Sequence, residues 1–193
     1  MIQRKKFNIS LLGESQVGKT CMLTCLKNGK FQDEGISTIG LDSYIDEAVL
    51  YGKKYKFKIF DTAGQERFRS VSKNTIKFSD GFMIIFSVIN RESFLKIEEW
   101  IDCIKSEVDI STKSIFLIGN KIDLPNRVIL NEEAYEYAKT NKIKYFETSA
   151  KTGHGIKEVF EQLYQDIYNL QKELGLNDDN IDLKITKKKS FCC

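Results

Sequence analysis

The chain has 193 residues, 41% hydrophobic and 30% charged, the balance of one soluble domain large enough to bury a real core. No apolar run approaches the roughly 20 residues of a membrane span, and the basic lead-in Met1 to Lys6 is followed by no signal-peptide stretch. The net charge of +3 does not point to nucleic acid, because Lys184, Lys187, Lys188 and Lys189 carry it; without those four the remainder is slightly acidic, and a basic tail on a near-neutral body suits a membrane surface.

In chain order, Phe7–Leu12 alternates and then turns fully apolar, which predicts a short strand entering the core. A helix over about 18–28 stops at Asn28-Gly29. Lys30 to Gly40 reads as a loop. Leu41–Leu50 and Tyr55–Phe60 read as a strand pair joined by Tyr51-Gly52-Lys53-Lys54. Residues 66–78 allow an irregular helix. Gly81–Val88 and Ser114–Gly119 are continuous apolar runs, the mark of strands covered on both faces. Phe94, Ile97, Ile101 and Ile104 recur at helical spacing with Trp100 alongside, Asn131–Asn141 is helical, Tyr145-Phe146 is a short strand, and Ile156, Val159, Phe160, Leu163 and Ile167 stripe a last helix. Strands alternating with helices predict an α/β fold with a mainly parallel sheet and one antiparallel edge strand. The pattern stops near Gly175, so residues 1–174 form the domain and 175–193 a disordered basic tail. Cys21, Cys25 and Cys103 fall on predicted helices and read as buried reduced thiols.

Four motifs each follow a predicted strand. Gly13-Glu14-Ser15-Gln16-Val17-Gly18-Lys19-Thr20 fits G-x-x-x-x-G-K-[ST]. There the main-chain N–H groups of Ser15, Gln16, Val17 and Gly18 and the helix N-terminus can cradle phosphate, with Lys19 on the β- and γ-phosphates and the Thr20 hydroxyl on Mg²⁺. In Asp61-Thr62-Ala63-Gly64-Gln65-Glu66, Asp61 can hold a Mg²⁺-bound water, Gly64 offers an unhindered N–H to a γ-phosphate, and Gln65 can orient an attacking water. Ser15 and Gln16 lie near where that water must fit. In Asn120-Lys121-Ile122-Asp123, the Asp123 carboxylate matches the N1–H and N2–H₂ donors of guanine, a pair that adenine lacks. In Glu147-Thr148-Ser149-Ala150-Lys151, main-chain N–H groups can meet the guanine O6. Singly, the last two motifs are weak, and a turn or a helix entry explains each; their order carries the weight. Trp100 and His154 read as structural, with nothing to link them to the phosphates.

With these motifs the chain resembles small GTPases of the Ras superfamily over about residues 5–172. Ser37-Thr38-Ile39-Gly40, Gln65-Glu66-Arg67-Phe68 and the terminal Cys192-Cys193 make it most similar to the Rab family. The resemblance implies a three-layer P-loop fold, a six-stranded sheet with five helices. It also implies that Thr38 binds Mg²⁺ and senses the γ-phosphate, and that Phe31 packs on the base. Cys192 and Cys193 would carry geranylgeranyl groups, which two chains or one chain plus lysines make a stable anchor. The implied partners are effectors, an exchange factor, a GTPase-activating protein, a prenyl-dependent chaperone and a cytoplasmic membrane leaflet, with a cytosolic pool, a monomeric state and no nucleic acid. Hydrolysis of GTP is expected to be slow alone, since Phe31 to Glu66 contains no Arg to act as a finger. Three departures stand out: Ser43, Phe60 and Thr75-Ile76-Lys77 replace the family's Phe, Trp and Tyr-Tyr-Arg on its effector-facing aromatic surface. They leave room for an alternative, a nucleotide-bound scaffold with little cycling.

Overall fold

A computed structural model describes residues 6–31, 41–62 and 69–175, with the main chain alone at 41, 42, 62 and 69–73. The elements run β1 (Lys6–Leu12), α1 (Lys19–Asn28), β2 (Leu41–Leu50), β3 (Lys53–Thr62), α2 (Arg69–Phe78), β4 (Gly81–Ser87), α3, β5 (Ser114–Asn120), α4 (Asn131–Thr140), β6 (Lys144–Glu147) and α5 (Ile156–Glu173). Helix α3 comes in two segments, Arg91–Leu95 and Ile97–Glu107. Across the join the Lys96 N–H still donates to the Glu92 carbonyl at 3.1 Å. Its start is capped by Asn90, whose side chain accepts from the Ser93 N–H.

The six strands lie in the order β2-β3-β1-β4-β5-β6, and only the β2–β3 pair is antiparallel. The expected mainly parallel sheet with one antiparallel edge strand and five helices is borne out. Successive side chains of a strand point to opposite faces, and the chain uses both. On one face Phe7, Ile9, Leu11, Phe57, Ile59, Met83, Ile85, Phe116 and Ile118 form a core with α1 and α5. On the other, Leu12, Phe82, Ile84, Phe86, Ile115 and Leu117 pack with α2, α3 and α4. Every residue of β4 and β5 is buried, as their unbroken apolar runs require. Phe57 and Tyr164 stack with ring centroids 3.9 Å apart, and the Tyr164 hydroxyl donates to Asp46, tying α5 to β2.

One expected connection is shorter than the sequence suggests. Lys53 and Lys54 pair with Leu50 and Val49 inside the ladder, so the hairpin turns on Tyr51-Gly52 alone, with φ of 50° and 78°. Positive φ at both central residues is the two-residue turn whose twist matches the strands. Tyr51 is held there by its ring, stacked on Tyr168 at 4.9 Å, and by its hydroxyl, which donates to Asn169. Cys25 is buried, and Cys21 and Cys103 are half-buried. Burial pushes the Cys25 thiol up, away from reactivity. Among the described residues no helix is long and apolar enough to cross a membrane.

Parallel β1, β3, β5 and β6 end on the same edge of the sheet. Order reverses around β1, which has β3 on one side and β4 on the other. The crevice beyond the carboxyl ends at such a switch point is where open α/β sheets bind ligands.

Candidate functional site

The phosphate-motif loop joins β1 to α1, as the motif requires. Gly13 sits at φ 136°, and a Cβ there would lie 2.1 Å from the Ile85 carbonyl oxygen of β4. Gly18 sits at φ 101°, and a Cβ would lie 2.4 Å from the Asn120 amide nitrogen. Both positions therefore admit only glycine, one for packing on the sheet and one for closeness to a second motif. Gln16, between them, is at φ 63° without being glycine. Val17 is 1% exposed and seated in the core, which pins the loop from below.

Lys19 is buried at 6% exposure, and its ammonium donates to the main-chain carbonyls of Gly13 and Glu14, both at 2.8 Å. Burial lowers its pKa to about 8, against the pull of the nearby Asp61 and Glu14 carboxylates. A buried cation ringed by carbonyl dipoles is well suited to an incoming polyanion. The Thr20 hydroxyl donates to Asp61 Oδ2 at 2.6 Å. Register explains the meeting, because Asp61 on β3 lies beside Leu11 of β1. These are hard oxygen donors at a phosphate site. Among the described residues no three His, Cys, Asp or Glu side chains gather as a closed metal cage. One hydroxyl and one carboxylate beside phosphate is the donor set that Mg²⁺ takes, since it keeps several waters and phosphate oxygens, so the residues fit that ion.

Asn120 is the hub of the other end. It is the last residue of β5 and 1% exposed. Its Nδ2 donates to the Val17 carbonyl at 2.9 Å. Its Oδ1 accepts from the Ala150 N–H at 3.1 Å and from the Thr148 hydroxyl at 3.2 Å. One amide thus joins the phosphate loop, the Asn120–Asp123 loop and the Ser149–Lys151 loop. The Ser149 hydroxyl donates to Asp123 Oδ1 at 2.6 Å and accepts from the Thr152 N–H at 3.1 Å. Asp123 is aimed by Ser149 and keeps Oδ2 and a second lone pair on Oδ1 for a ligand. Lys121 turns through φ 69°. Of the four described non-glycine residues with positive φ, Gln16 and Lys121 fall in these two loops, as strained backbone tends to at functional sites.

The expectation for main-chain N–H groups needs refinement. Those of Ser149 and Ala150 are already engaged, by the His154 carbonyl at 3.0 Å and by Asn120. His154 therefore does touch the motifs, through its backbone alone, while its side chain is exposed. Phe31 is half-buried and Lys151 exposed. Thr38, Gly64, Gln65, Cys192 and Cys193 lie outside the described residues.

Trp100 corrects a second expectation. Its indole N–H donates to Glu14 Oε1 at 3.2 Å, a direct tie between α3 and the phosphate loop. The signal was available in principle, since a buried indole N–H needs an acceptor, but nothing in the sequence names one 86 residues away. A third group the motifs did not announce is Arg127, Glu147 and Tyr145. Arg127 donates to both Glu147 oxygens at 2.7 and 3.1 Å, and the Tyr145 hydroxyl donates to Oε1 at 2.8 Å. Burial works against the Glu147 charge, but the hydrogen bonds from Arg127 and Tyr145 outweigh it and hold the carboxyl below its usual range. The network clamps the end of β6 under the Asn120 loop.

The departures also sort themselves. Ser43 is exposed and pairs across the ladder with Phe60, which is half-buried with the Lys58 ammonium 4.6 Å from its ring centroid. Thr75 and Ile76, at 7% and 0% exposure, face inward, and only Lys77 of that trio reaches solvent.

Residues 8–169 match the family model described as Ras family. The Ras-related protein Rab-10 of Diplobatis ommata is 35% identical over 181 residues, spanning 93% of this chain and 90% of its own length. The Ras-related protein Rab-13 of Rattus norvegicus is 34% identical over 191 residues, at 95% and 93% coverage. The GTP-binding protein YPT1 of Saccharomyces cerevisiae is 34% identical over 202 residues, at 97% and 96%. With the described motif residues brought together by Asn120 and by the Thr20–Asp61 bond, and relatives matched along nearly their whole length, the chain belongs to the Ras family, as a Rab-like small GTPase.

Proposed function

We propose that the chain is a guanine-nucleotide switch that binds GTP with Mg²⁺, hydrolyses it slowly to GDP and phosphate, and recruits effectors on an intracellular membrane. The observation that carries this reading is the Asn120 side chain, which fastens Val17 of the phosphate loop to Ala150 and Thr148 of the base loop. A ligand with a purine at one end and phosphates at the other is what two loops at that fixed spacing accommodate.

In this reading Ser15, Gln16, Val17, Gly18 and Lys19 hold the phosphates. Phe31, Asn120, Lys121, Asp123, Ser149, Ala150 and Lys151 hold the guanine. Thr20, Thr38 and Asp61 hold the metal, whose charge, when bound, offsets that of the β- and γ-phosphates. Thr38 and Gly64 sense the γ-phosphate, and Gln65 positions the attacking water. An exchange factor and a GTPase-activating protein set the rates. Cys192 and Cys193 carry geranylgeranyl groups, solubilised by a prenyl-dependent chaperone in the cytosolic pool.

Asp123→Asn tests the base assignment. Asparagine presents an N–H donor where guanine has its own amino donor, whereas xanthine has a carbonyl there. Fluorescent GDP affinity should fall on the order of 10²–10⁴-fold, with xanthosine diphosphate now preferred. Unchanged guanine preference would remove Asp123 from the base site.

A further inference from the structure

Trp100 is the chain's sole tryptophan. It is 3% exposed and lies on the second segment of α3, where its N–H reaches Glu14 Oε1. Glu14 is used twice. Its side chain is tied to α3, while its main-chain carbonyl accepts the Lys19 ammonium at 2.8 Å. Trp100 also shares a core with Leu12, the last residue before the phosphate loop, and with Ile76 of α2. A Lys77–Glu107 ion pair at 3.4 Å joins α2 to the same α3 segment. The indole is therefore bonded to the loop that holds Lys19 and belongs to the same core as the end of β1 that feeds the loop and as α2.

We propose that Trp100 and Glu14 are a positioning pair, which fixes the first turn of the phosphate loop, and with it Lys19, against the α2–α3 seam. Neither side chain is placed on the ligand; each acts through the Glu14 main chain. Displacing α2, as a bound partner can, then loosens or tightens the grip on nucleotide through Trp100. This inference rests on the reading of the loop as a guanine-nucleotide site.

The test is the dissociation rate of fluorescent GDP from full-length protein carrying Trp100→Phe, Glu14→Met or both. Trp100→Phe keeps a ring in the core but removes the donor together with part of the buried indole volume, whereas Glu14→Met leaves the core ring intact and removes only the acceptor. Each single change should speed release about tenfold, the scale of a lost hydrogen bond to a charged group, and the double change no more than either alone. Glu14→Gln, which keeps an acceptor, should restore most of the retention lost in Glu14→Met. Ile104→Val, a shaved contact in the same core, should lower Tm and leave release unchanged. The emission of Trp100 should shift when a chelator strips the nucleotide, and Glu14→Met should abolish that shift. Additive singles, release at the parent rate in both singles, equal acceleration in Ile104→Val, or a shift that survives Glu14→Met would each overturn the pair. Failure of the parent chain to retain GDP at all would instead sink the nucleotide reading on which the pair depends.

Discussion

The base end of the crevice and the β2–β3–α2 edge are built by opposite means. At the base end, polar side chains bond to one another and to main chain: Asn120 to Val17, Ala150 and Thr148, Ser149 to Asp123, Arg127 and Tyr145 to Glu147. Such a network is costly to interrupt, because each buried group that loses its partner also stays dry. At the edge, apart from the bonds to Asp46 and Asp61 and the Lys77–Glu107 pair, position rests largely on packing and the ladder. Phe60 opposes Ser43, and Ile45 is 47% and Val49 63% exposed, so substitution at these apolar positions mainly removes area. The base end tolerates little change, while the edge can be rewritten. It is at the edge that Ser43, Phe60 and Thr75-Ile76-Lys77 differ from the family pattern.

Asn120→Ala should give the largest effect. It leaves the Val17 carbonyl and the Ala150 N–H without their partner in a buried setting, at roughly 1–3 kcal/mol each. GDP affinity should fall on the order of 10³-fold, read by fluorescence titration. If the variant keeps GDP within tenfold, the loops are held by something other than this amide, and the contrast between the two regions fails.

Ile76→Tyr comes next. Restoring a family tyrosine would enlarge a surface aromatic if the position faced solvent. Here Ile76 is 0% exposed in the α2–α3 core, so the added volume overpacks it, at roughly 1–3 kcal/mol. Tm should drop by several degrees in thermal melts. A neutral or stabilising result would mean that the α2 face turns outward.

The pH dependence of binding is smaller and probes the phosphate loop. Lys19 has a pKa lowered by burial to about 8 from 10.5, and phosphates would raise it again. Above pH 8 the free site has lost this proton, so binding must take one up and affinity falls, by at most tenfold per unit. At pH 8 titration calorimetry in two buffers of different ionisation enthalpy should show uptake of about half a proton. The sign for folding is the reverse. Between about 8 and 10.5 the unfolded chain holds a proton that the nucleotide-free fold has shed, so that form gains stability as pH rises. The loaded form lacks this gain. Absence of proton uptake would mean that Lys19 is not the group that meets phosphate.

Much of this was legible from residues alone, for particular reasons. The apolar runs 81–88 and 114–119 predicted buried strands because only covered strands dispense with alternation. The motifs located the loops because phosphate and guanine chemistry restricts residue type at fixed spacing. The hairpin turn was misjudged because Tyr51 is a poor candidate for positive φ; its stacking on Tyr168 is a tertiary contact that local sequence does not reveal. The bond of Trp100 is hidden from local sequence for a similar reason, as its acceptor lies in another element. Ile76 was compared with a surface aromatic by its place in a motif, whereas its orientation follows from how α2 rolls against α3.

Phe60→Trp is the mildest change and the sharpest probe of the edge. Side chains alternate along β3, so Phe60 points away from the face that carries Asp61 and its bond to Thr20. A larger ring there gains contact across from Ser43 and a somewhat better face for the Lys58 ammonium, now 4.6 Å from the phenyl centroid, a cation–π gain of about 0.5 kcal/mol at a partly exposed site. Tm should move by no more than about 2 °C, and the release rate of fluorescent GDP should stay within about twofold, since no buried polar group loses its partner. Partner binding is the property free to change. If release of GDP instead shifts tenfold, this edge is coupled to the nucleotide as tightly as Asn120 is, and the division between a fixed end and a variable one must be redrawn along β3.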